Sequence, residues 1–515
     1  MSVLDHPWAA LEFAAATWPE EDALVFPHQE QRLSFSQWRG RAAVWAGTLA
    51  SAGVTPGQHV ALLAENRIEW PIAQMACAAM GAVFAPLNSH YRRDDLAYVL
   101  KQSNAVALIC SQRFRGNPYL ENVTALRPEL PDLKQVFCLD QMPDRRTPAT
   151  APAHKGKGEN PVAALLYTSG TTGFPKGALL SHRAMMMNAR GAADRLGLTA
   201  GDRWTSIIPL FHCAGCILNI LGCLQKGAAY VGAPSFDAEN MFRVIQSERC
   251  TFLSGVPTSY LAMLDHPARK DYDLSSLRAG SCGGADANPD TLRRCAEEFP
   301  MPGLSQVYGQ TEGATLFACP DAGDPLRFET SGKALPGYEL RVVEPESLAE
   351  MPRGGIGEIQ ARGPMVMEGY YQMPEATAET ILPGGWLRTG DLGYLRGDDR
   401  LVIAGGRLRD MIIRGGENIY PAEIENILAG HEAVAGVAVF GVRDDYYGEI
   451  VAAAVRLRHE VPAAELAASC EGRIAKFKVP TLFYRVDAFP LTASGKVRKV
   501  ELRDMAAGGA LEVLG

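Results

Sequence analysis

The sequence predicts an α/β protein with a large N-terminal domain over residues 1–409 and a small α+β C-terminal domain over residues 410–515. Three observations predict this class. The chain has 515 residues, more than one hydrophobic core usually serves. Short apolar runs alternate with helix-like segments in the N-terminal part, as in a parallel sheet covered by helices. A second α/β unit follows a stretch of short, glycine- and proline-rich strands.

The elements of the large domain follow from hydrophobic periodicity. Buried strands are predicted at 60–66, 105–110, 163–167 and 230–234. Helices are predicted at 68–84, 93–102 and 238–249. Residues 141–160 predict a loop, because they combine proline, charge and small side chains. The segment from Tyr338 to Tyr394 predicts a small β subdomain, since short strand-like pieces are separated by glycine and proline.

Residues 407–413 lead into the C-terminal domain, and the domain boundary is placed near Arg409. Its predicted elements alternate between helix and strand: helix 421–430, strand 437–442, helix 464–477 and strand 482–486. No internal repeat and no heptad pattern is present. The unit therefore predicts a compact second domain rather than a coiled coil.

Composition restricts the function classes. The net charge of −8 and the pI near 5.8 argue against general nucleic-acid binding, which needs a basic face. The N-terminus lacks the basic start of a secretory signal, and no apolar run approaches the roughly 18 residues that would span a bilayer. Eleven scattered cysteines predict reduced thiols in a cytoplasmic protein. A homodimer is compatible with the sequence.

A glycine-rich stretch, YTSGTTGFPKG at residues 167–177, follows a predicted buried strand. Glycines let backbone N–H groups converge on an anion, hydroxyls add neutral donors, and a lysine adds charge, so the stretch predicts a polyphosphate loop. A flexible surface loop is the alternative. A Walker P-loop is excluded, because Pro175 precedes Lys176 and Gly177 follows it. The candidate residues are Thr168, Ser169, Gly170, Thr171, Thr172 and Lys176.

This stretch and six others resemble the adenylate-forming superfamily of acyl- and aryl-CoA synthetases, peptide-synthetase adenylation domains and luciferases. The other matching segments occur in the family's order: 208–215, 308–313, 357–363, 385–393, 406–425 and 490–499. The resemblance covers the chain essentially end to end. It implies ATP, Mg²⁺ and CoA as cofactor and co-substrates, with a mobile C-terminal domain. It also implies activation of a carboxylic acid as its acyl-adenylate with release of pyrophosphate.

The resemblance implies roles for a set of nucleotide-site residues. Tyr308 would pack on adenine, Thr311 would contact the α-phosphate, and Glu312 would hold Mg²⁺ together with Thr168. Gly283, Gly284, Ala285, Gly309 and Gln310 would line the nucleotide. A core aromatic and an exposed loop acid are the alternatives for Tyr308 and Glu312.

The resemblance further assigns the ribose, the catalyst and the hinge. Asp391 follows a glycine after a predicted strand and would bind the ribose hydroxyls together with Arg407. Lys496, in PLTASGKVRK, would bridge the substrate carboxylate and the α-phosphate, which suits a point charge on a flexible stem. Arg409 would be the hinge between two orientations of the C-terminal domain. The implied catalytic set is Lys496, His212, Glu312 and Arg407.

The segment HCAGC at 212–216 has the appearance of a zinc or redox motif, but no second ligand pair accompanies it. The resemblance instead makes His212 a lining residue of the acyl-carboxylate pocket. The acyl-pocket candidates are His212, Cys213, Val256, Cys282, Gly309 and Thr315. Most of these side chains are small, which favours a medium or long chain or a bulky ring.

The acyl acceptor is expected to be CoA. No carrier domain is expected beyond Lys496, and residues 235–245 and 252–265 resemble fatty- and aryl-CoA synthetases. Cations near the C-terminus would receive CoA phosphates, or they form a solvated face. The CoA candidates are Gly415, Gly416, Glu417, Arg473, Lys476 and Lys478. Loading of a free-standing acyl carrier protein is the alternative function.

Overall fold

The computed structural model of the chain describes residues 5–141, 161–168, 175–285, 287–407, 410–414, 417–419, 421–444, 446–471, 473–474, 476–492 and 496–515. Within these ranges the α-helices are α1 (Pro7–Thr17), α2 (Phe35–Ser51), α3 (Glu69–Met80), α4 (Arg93–Gln102), α5 (Tyr119–Leu126), α6 (His182–Arg195), α7 (Ile220–Lys226), α8 (Ala238–Glu248), α9 (Pro257–Leu264), α10 (Pro289–Glu298), α11 (Pro374–Thr380), α12 (Pro421–Ala429), α13 (Ala463–Cys470) and α14 (Lys499–Ala507).

The strands of the first 306 residues are β1 (Asp22–Phe26), β2 (Gln31–Ser34), β3 (His59–Leu63), β4 (Val83–Pro86), β5 (Ala107–Cys110), β6 (Gln135–Cys138), β7 (Val162–Thr168), β8 (Lys176–Ser181), β9 (Arg203–Ser206), β10 (Ala229–Gly232), β11 (Phe252–Gly255), β12 (Ala279–Cys282) and β13 (Gly303–Gln306). The later strands are β14 (Ala318–Cys319), β15 (Lys333–Ala334), β16 (Glu339–Val343), β17 (Gly357–Arg362), β18 (Gly369–Tyr370), β19 (Ile381–Leu382), β20 (Trp386–Leu395), β21 (Leu401–Arg407), β22 (Ile412–Arg414), β23 (Glu417–Ile419), β24 (Val434–Asp444), β25 (Gly448–Leu457), β26 (Leu482–Arg485) and β27 (Glu512–Val513).

Two seven-stranded sheets carry most of the chain. Sheet A has the order β13-β12-β11-β9-β10-β1-β2, and sheet B has the order β18-β8-β7-β4-β3-β5-β6. The central strands of both sheets run parallel. These strands are buried on both faces, which explains their continuous apolar sequences. The largest hydrophobic core includes Trp38, Trp70 and Trp204 and joins residues of both sheets with α1–α3, α6 and α7.

Two smaller sheets follow in the chain. Sheet C joins β16, β17, β19, β20 and β21, and sheet D joins β22–β27. Strands β14 and β15 form a separate two-stranded ribbon. The mixed α/β architecture with a large N-terminal part confirms the predicted fold class.

The structure corrects the length of two predicted helices. The helix predicted over 68–84 ends at Met80, because Gly81 adopts a left-handed conformation (φ 71°), and Val83–Pro86 is strand β4. The helix predicted over 464–477 ends at Cys470, and a short 3₁₀ turn follows at Lys476–Lys478. The predicted loop at 141–160 lies outside the described residues except at Gln141, which ends a 3₁₀ turn.

None of the helices in the described ranges combines the length and the apolar character that a membrane crossing requires. The apolar segments Met75–Leu87 and Cys213–Leu224 are instead buried in the core.

Candidate active site

Four neighbouring strands of sheet A end at the same edge. Strands β9, β11, β12 and β13 run parallel and in register. The segments that carry the predicted site residues leave these strands at their carboxyl ends. Val256 follows β11, Gly283 follows β12 and Tyr308 follows β13, while His212 lies six residues beyond β9. Ligands of α/β sheets bind at this edge, so the topology alone brings these residues together.

Sheet B supplies the two ends of the glycine-rich loop. Thr168 is the last residue of β7 and Lys176 is the first of β8, and the two are paired across this antiparallel hairpin. The Thr168 hydroxyl donates to the Lys176 carbonyl at 3.4 Å. The remaining candidates of the loop, Ser169, Gly170, Thr171 and Thr172, lie outside the described residues. The hairpin therefore fixes where the loop begins and ends.

Glu312 is buried, at 8% exposure, close to the loop lysine. The Tyr370 hydroxyl donates to Glu312 Oε1 at 2.8 Å, and Lys176 Nζ lies 5.2 Å from the centroid of the Tyr370 ring. Tyr370 thus bridges the lysine of the phosphate loop and the predicted metal-binding acid. Glu312 makes no ion pair with any residue that the structure describes.

The oxygen donors at this point fit Mg²⁺. A buried carboxylate without an ion-pair partner is costly unless a cation compensates it, and Mg²⁺ prefers oxygen ligands. Within the described ranges no three His, Cys, Asp or Glu side chains cluster as a metal cage. This agrees with the way Mg²⁺ is usually held, by one or two protein oxygens together with substrate phosphates and water. Glu312 and Thr168 are the protein groups that could hold it.

Tyr308 and Asp391 are joined by a hydrogen bond. The Tyr308 hydroxyl donates to Asp391 Oδ2 at 2.9 Å, and each residue is 9% exposed. Asp391 lies within β20 and not after a strand as predicted, because the strand continues through a bulge near Gly393. Arg407 is the Cα partner of Asp391 on β21, and its side chain lies outside the described residues. The candidates for adenine and ribose are therefore adjacent.

A cysteine connects the predicted phosphate contact with the predicted acyl pocket. The Thr311 hydroxyl donates to Cys213 Sγ at 3.5 Å, and Cys213 Sγ lies 3.7 Å from His212 Nδ1. The Thr315 hydroxyl donates to the Cys213 carbonyl at 3.3 Å. Burial would raise the pKa of the Cys213 thiol, but the charge of His212 and these hydrogen-bond donors outweigh it and lower the pKa. Cys213 therefore lies between the predicted phosphate contact and the predicted acyl-pocket histidine.

Glycine is required where the backbone of this cluster closes on itself. A Cβ atom on Gly309 would lie 1.9 Å from the Thr315 carbonyl oxygen, which no side chain tolerates.

Cys282 does not join the cluster. It is buried on the opposite face of sheet A, in the core that contains Leu253, Tyr260 and Cys295, which corrects its prediction as a pocket residue.

Lys496 reaches the same cleft from the C-terminal part of the chain. A Cβ atom placed on Gly284 would lie 3.5 Å from Lys496 Cε and 3.6 Å from Val256 Cγ1. The turn that carries the lysine is closed by two hydrogen bonds. Thr492 N donates to the Lys496 carbonyl at 2.7 Å, and Lys496 N donates to Thr492 Oγ1 at 3.0 Å. The lysine therefore stands over the carboxyl edge of sheet A.

The CoA candidates are only partly described. Gly415, Gly416 and the hinge candidate Arg409 lie outside the described residues, and Glu417 is described only as part of β23. Arg473 and Lys476 are exposed, whereas Lys478 pairs with Glu423 at 2.7 Å.

Two exposed aromatic residues close to this region escaped the sequence analysis. Tyr446 is 86% exposed, and the guanidinium of Arg414 lies 4.5 Å from the Tyr447 ring centroid. Arg414 Nη1 also donates to the Phe477 carbonyl at 2.7 Å, which joins these aromatics to the turn of Lys476.

Two supporting residues of the nucleotide site were also missed. Tyr370 follows a glycine in a two-residue strand, and no periodicity indicates its role. Asn188 lies on the buried face of α6, where its amide donates to Leu316 O at 2.7 Å and accepts from Leu316 N at 3.1 Å. A polar residue on the apolar face of a helix is a signal that could have identified it.

The fold and this cleft define an ATP-dependent, adenylate-forming enzyme, and comparison with known proteins gives the same class. The AMP-binding enzyme family matches residues 11–371, and the AMP-binding enzyme C-terminal domain matches residues 423–496. YngI of Bacillus subtilis, provisionally named as an acyl-CoA synthetase, is 39% identical over 96% of this chain and 96% of its own. A propanoyl:CoA ligase of Rhodococcus jostii, whose acyl group carries a dioxo-octahydroindene ring, is 36% identical over 96% of this chain and 98% of its own.

A solved structure agrees with these relatives. The anthranilate CoA ligase AuaEII in complex with anthranoyl-AMP superposes with a TM-score of 0.90 at 26% identity, covering 99% of this chain and 100% of that one. The chain belongs to the AMP-binding enzyme family and, within it, to the AMP-forming acid–thiol ligases. Use of ATP and CoA follows at the level of the family.

Proposed function

We propose that this protein converts a carboxylic acid to its acyl-adenylate with release of pyrophosphate and then transfers the acyl group to the CoA thiol. The position of Lys496 against Gly284 carries the proposal. A carboxylate and an α-phosphate repel each other, so their joining needs a cation between them in the transition state. Lys496 reaches the edge of sheet A, where Thr311 and His212 lie on either side of Cys213.

In the proposed nucleotide site, different residues contact the phosphates, the adenine and the ribose of ATP. Lys176 and the glycine-rich loop receive the phosphates, Tyr308 lies along adenine, and Asp391 with Arg407 binds the ribose. Glu312 and Thr168 hold Mg²⁺, which when bound would neutralise phosphate charge. The hydrogen bond from Tyr370 supports this role, because it orients one oxygen of Glu312 and leaves the other for a cation.

The second half-reaction needs a different arrangement of the C-terminal domain. After adenylation Lys496 occupies the space that a thiol must reach, so the domain 410–515 turns about Arg409 and presents residues 414–418 to the cleft. The phosphates of CoA would form ion pairs with Arg473, Lys476 and Lys478. The exposure of Arg473 and Lys476 supports this part.

An acid panel tests the reaction. Purified protein with ATP and Mg²⁺ is incubated with aliphatic and aromatic acids, and pyrophosphate, AMP and acyl products are measured with CoA, with a free-standing acyl carrier protein, or with neither. We expect acid-dependent AMP and an acyl-CoA. An acyl carrier product in place of acyl-CoA would favour the alternative acceptor, and the absence of AMP with every acid would overturn the proposal.

Charge reversal at Lys476 tests the CoA surface. Lys476→Glu is expected to raise KM for CoA about tenfold while KM for ATP changes less than about twofold, because it places a carboxylate beside the CoA phosphates. Lys270→Glu provides the control, since Lys270 is an exposed lysine on a 3₁₀ turn beside α9 in the large domain. Steady-state kinetics with each substrate varied in turn gives both constants. A rise in KM for ATP alone would remove Lys476 from the CoA site.

A further inference from the structure

Four serines form a row across sheet A, below the cleft. Ser206, Ser254, Ser281 and Ser305 occupy equivalent positions on β9, β11, β12 and β13, where each is the Cα partner of the next. All four are 0–2% exposed. Buried parallel strands normally carry large β-branched or aliphatic side chains at such positions, so a row of four small hydroxyls is unusual.

The row lies one side-chain level below residues at the edge of the proposed cleft. Side chains alternate along a strand, so Gly283 and Val307 lie two residues further along, on the same face as Ser281 and Ser305. The parallel ladder continues to this level, because Gly283 N donates to Gly255 O at 3.2 Å and Val307 N donates to Cys282 O at 2.9 Å. The two levels are about 7 Å apart. The next residue, Gly284, lies against Lys496.

Most polar groups of the row satisfy one another. Trp204 Nε1 donates to Ser254 Oγ at 2.9 Å, and Ser254 Oγ lies 2.7 Å from Ser281 Oγ. Asn219, the last residue of the π-helical turn Ala214–Asn219, contacts the row through its side-chain amide. With its amide turned to satisfy its neighbours, it donates to Ser206 Oγ at 3.0 Å and accepts from Trp204 Nε1 at 3.3 Å.

Ser305 is the exception. Its hydroxyl is fully buried and has no hydrogen-bond partner among the described residues. Burial of an unpaired hydroxyl is unfavourable, and an alanine at this position would avoid that cost. Ser281 next to it uses its hydroxyl toward Ser254, away from Ser305. The last serine of the row, Ser305, therefore has a hydroxyl that could form a hydrogen bond with a ligand.

We propose that Ser305 and Ser281 bind a neutral oxygen function, a ketone or a hydroxyl, carried by the acyl chain of the substrate. The inference rests on the proposed function and specifies its substrate class. The Ser305 hydroxyl donates to the ligand oxygen, and a ligand hydroxyl can donate in turn to Ser281 Oγ. A charged group is excluded, because the row holds no cation and desolvation of a carboxylate there would be prohibitive.

Val307 lies two residues beyond Ser305 on the same face of sheet A, so the acyl chain would have to displace its side chain to reach the serines. A Cβ atom on Gly283 would lie 2.8 Å from Val307 Cγ2, so the Val307 side chain fills the space next to Gly283. Val307 is 7% exposed, and the proposal requires its side chain to move, for example by rotation about χ1, so that the acyl chain can reach Ser281 and Ser305.

The test compares octanoate with octanoates that carry a ketone or a hydroxyl at successive carbons. We expect one oxygenated isomer to exceed octanoate at least about tenfold in kcat/KM, since a site built to hydrogen-bond an oxygen discriminates against the analogue without it. Ser305→Ala should reduce kcat/KM for that isomer at least about tenfold more than for octanoate. The ketone and hydroxyl series separate the two oxygen functions.

Ser206→Ala is the matched control. It removes a hydroxyl from the far end of the same row, where Ser206 Oγ accepts from Ile208 N at 3.0 Å, and should affect both acids equally. Consumption of octanoate without preference for any oxygenated isomer, or a preference that survives Ser305→Ala, would overturn this inference and leave the proposed function intact. Absence of AMP with every acid would overturn both. The melting temperature of Ser305→Ala should not fall, because its hydroxyl has no partner to lose.

Discussion

Replacement of Lys496 by alanine is expected to slow acyl-adenylate formation by about a hundredfold or more, a loss of about 3 kcal/mol in transition-state stabilisation. The physical reason is the position of the lysine against Gly284, at the place where we propose that the acid and the α-phosphate are joined. Removal of the charge leaves two anions to approach each other without compensation. Pyrophosphate release under single-turnover conditions measures this step directly.

The same variant should largely retain thioester formation from CoA and a pre-made acyl-adenylate, because the proposed domain rotation removes Lys496 from the cleft before that step. Arg498→Ala is the matched control, since it removes a cation two residues away whose only ion pair among the described residues is with Glu501 at the surface. We expect it to leave both half-reactions within about threefold of the unmodified protein. Equal losses in the two half-reactions of Lys496→Ala would contradict the assigned role.

Replacement of Glu312 by glutamine is expected to reduce kcat for adenylation by about 10²–10³-fold and to raise the Mg²⁺ concentration needed for half-maximal rate. The substitution keeps the size of the side chain and removes its charge. Glu312 is 8% exposed and has no ion-pair partner in the described ranges, so the cation it binds would be the main compensation for its burial. A Mg²⁺ titration at saturating ATP and acid separates the two effects.

Tyr370→Phe distinguishes charge from orientation at this site. The variant removes only the hydroxyl that donates to Glu312 Oε1, while the ring beside Lys176 remains. We expect a loss of less than about tenfold in kcat, typical of one hydrogen bond to a charged group that supports a ligand. If Glu312→Gln changed activity no more than Tyr370→Phe, or left the Mg²⁺ dependence unaltered, Glu312 would be a structural residue.

The sequence predicts well the parts of the site that follow from strand order. Residues after consecutive parallel strands share one sheet edge, so Val256, Gly283 and Tyr308 meet although more than fifty residues separate the first from the last. The fold class follows for the same reason, since apolar runs and helical patterns are local. The sequence predicts that the glycine-rich stretch follows a buried strand, which β7 confirms, whereas it does not predict strand β8 after the stretch.

Prediction from the sequence is wrong or incomplete where contacts between residues distant in sequence determine the position of a side chain. Cys282 and Ser281 are adjacent, yet they face different cores, and only the register of β12 determines which residue lies beneath the cleft. Asp391 lies inside a strand because β20 pairs with β21 on one side and β17 on the other, which the local T-G-D-L-G turn pattern does not indicate. Tyr370 reaches Glu312 through a two-residue strand too short to have a pattern.

The residues of the proposed nucleotide site come from three different sheets: Lys176 from sheet B, the segment around Tyr308 from the end of a strand in sheet A, and Asp391 from sheet C. A ligand that contacts residues of all three sheets would link parts of the polypeptide that are otherwise held together by side-chain packing. Occupancy by ATP should therefore suppress local opening between the layers, with slower amide exchange in β8, β13 and β20 than at strands remote from the cleft. The free energy of local opening between these sheets would then depend on the ATP concentration.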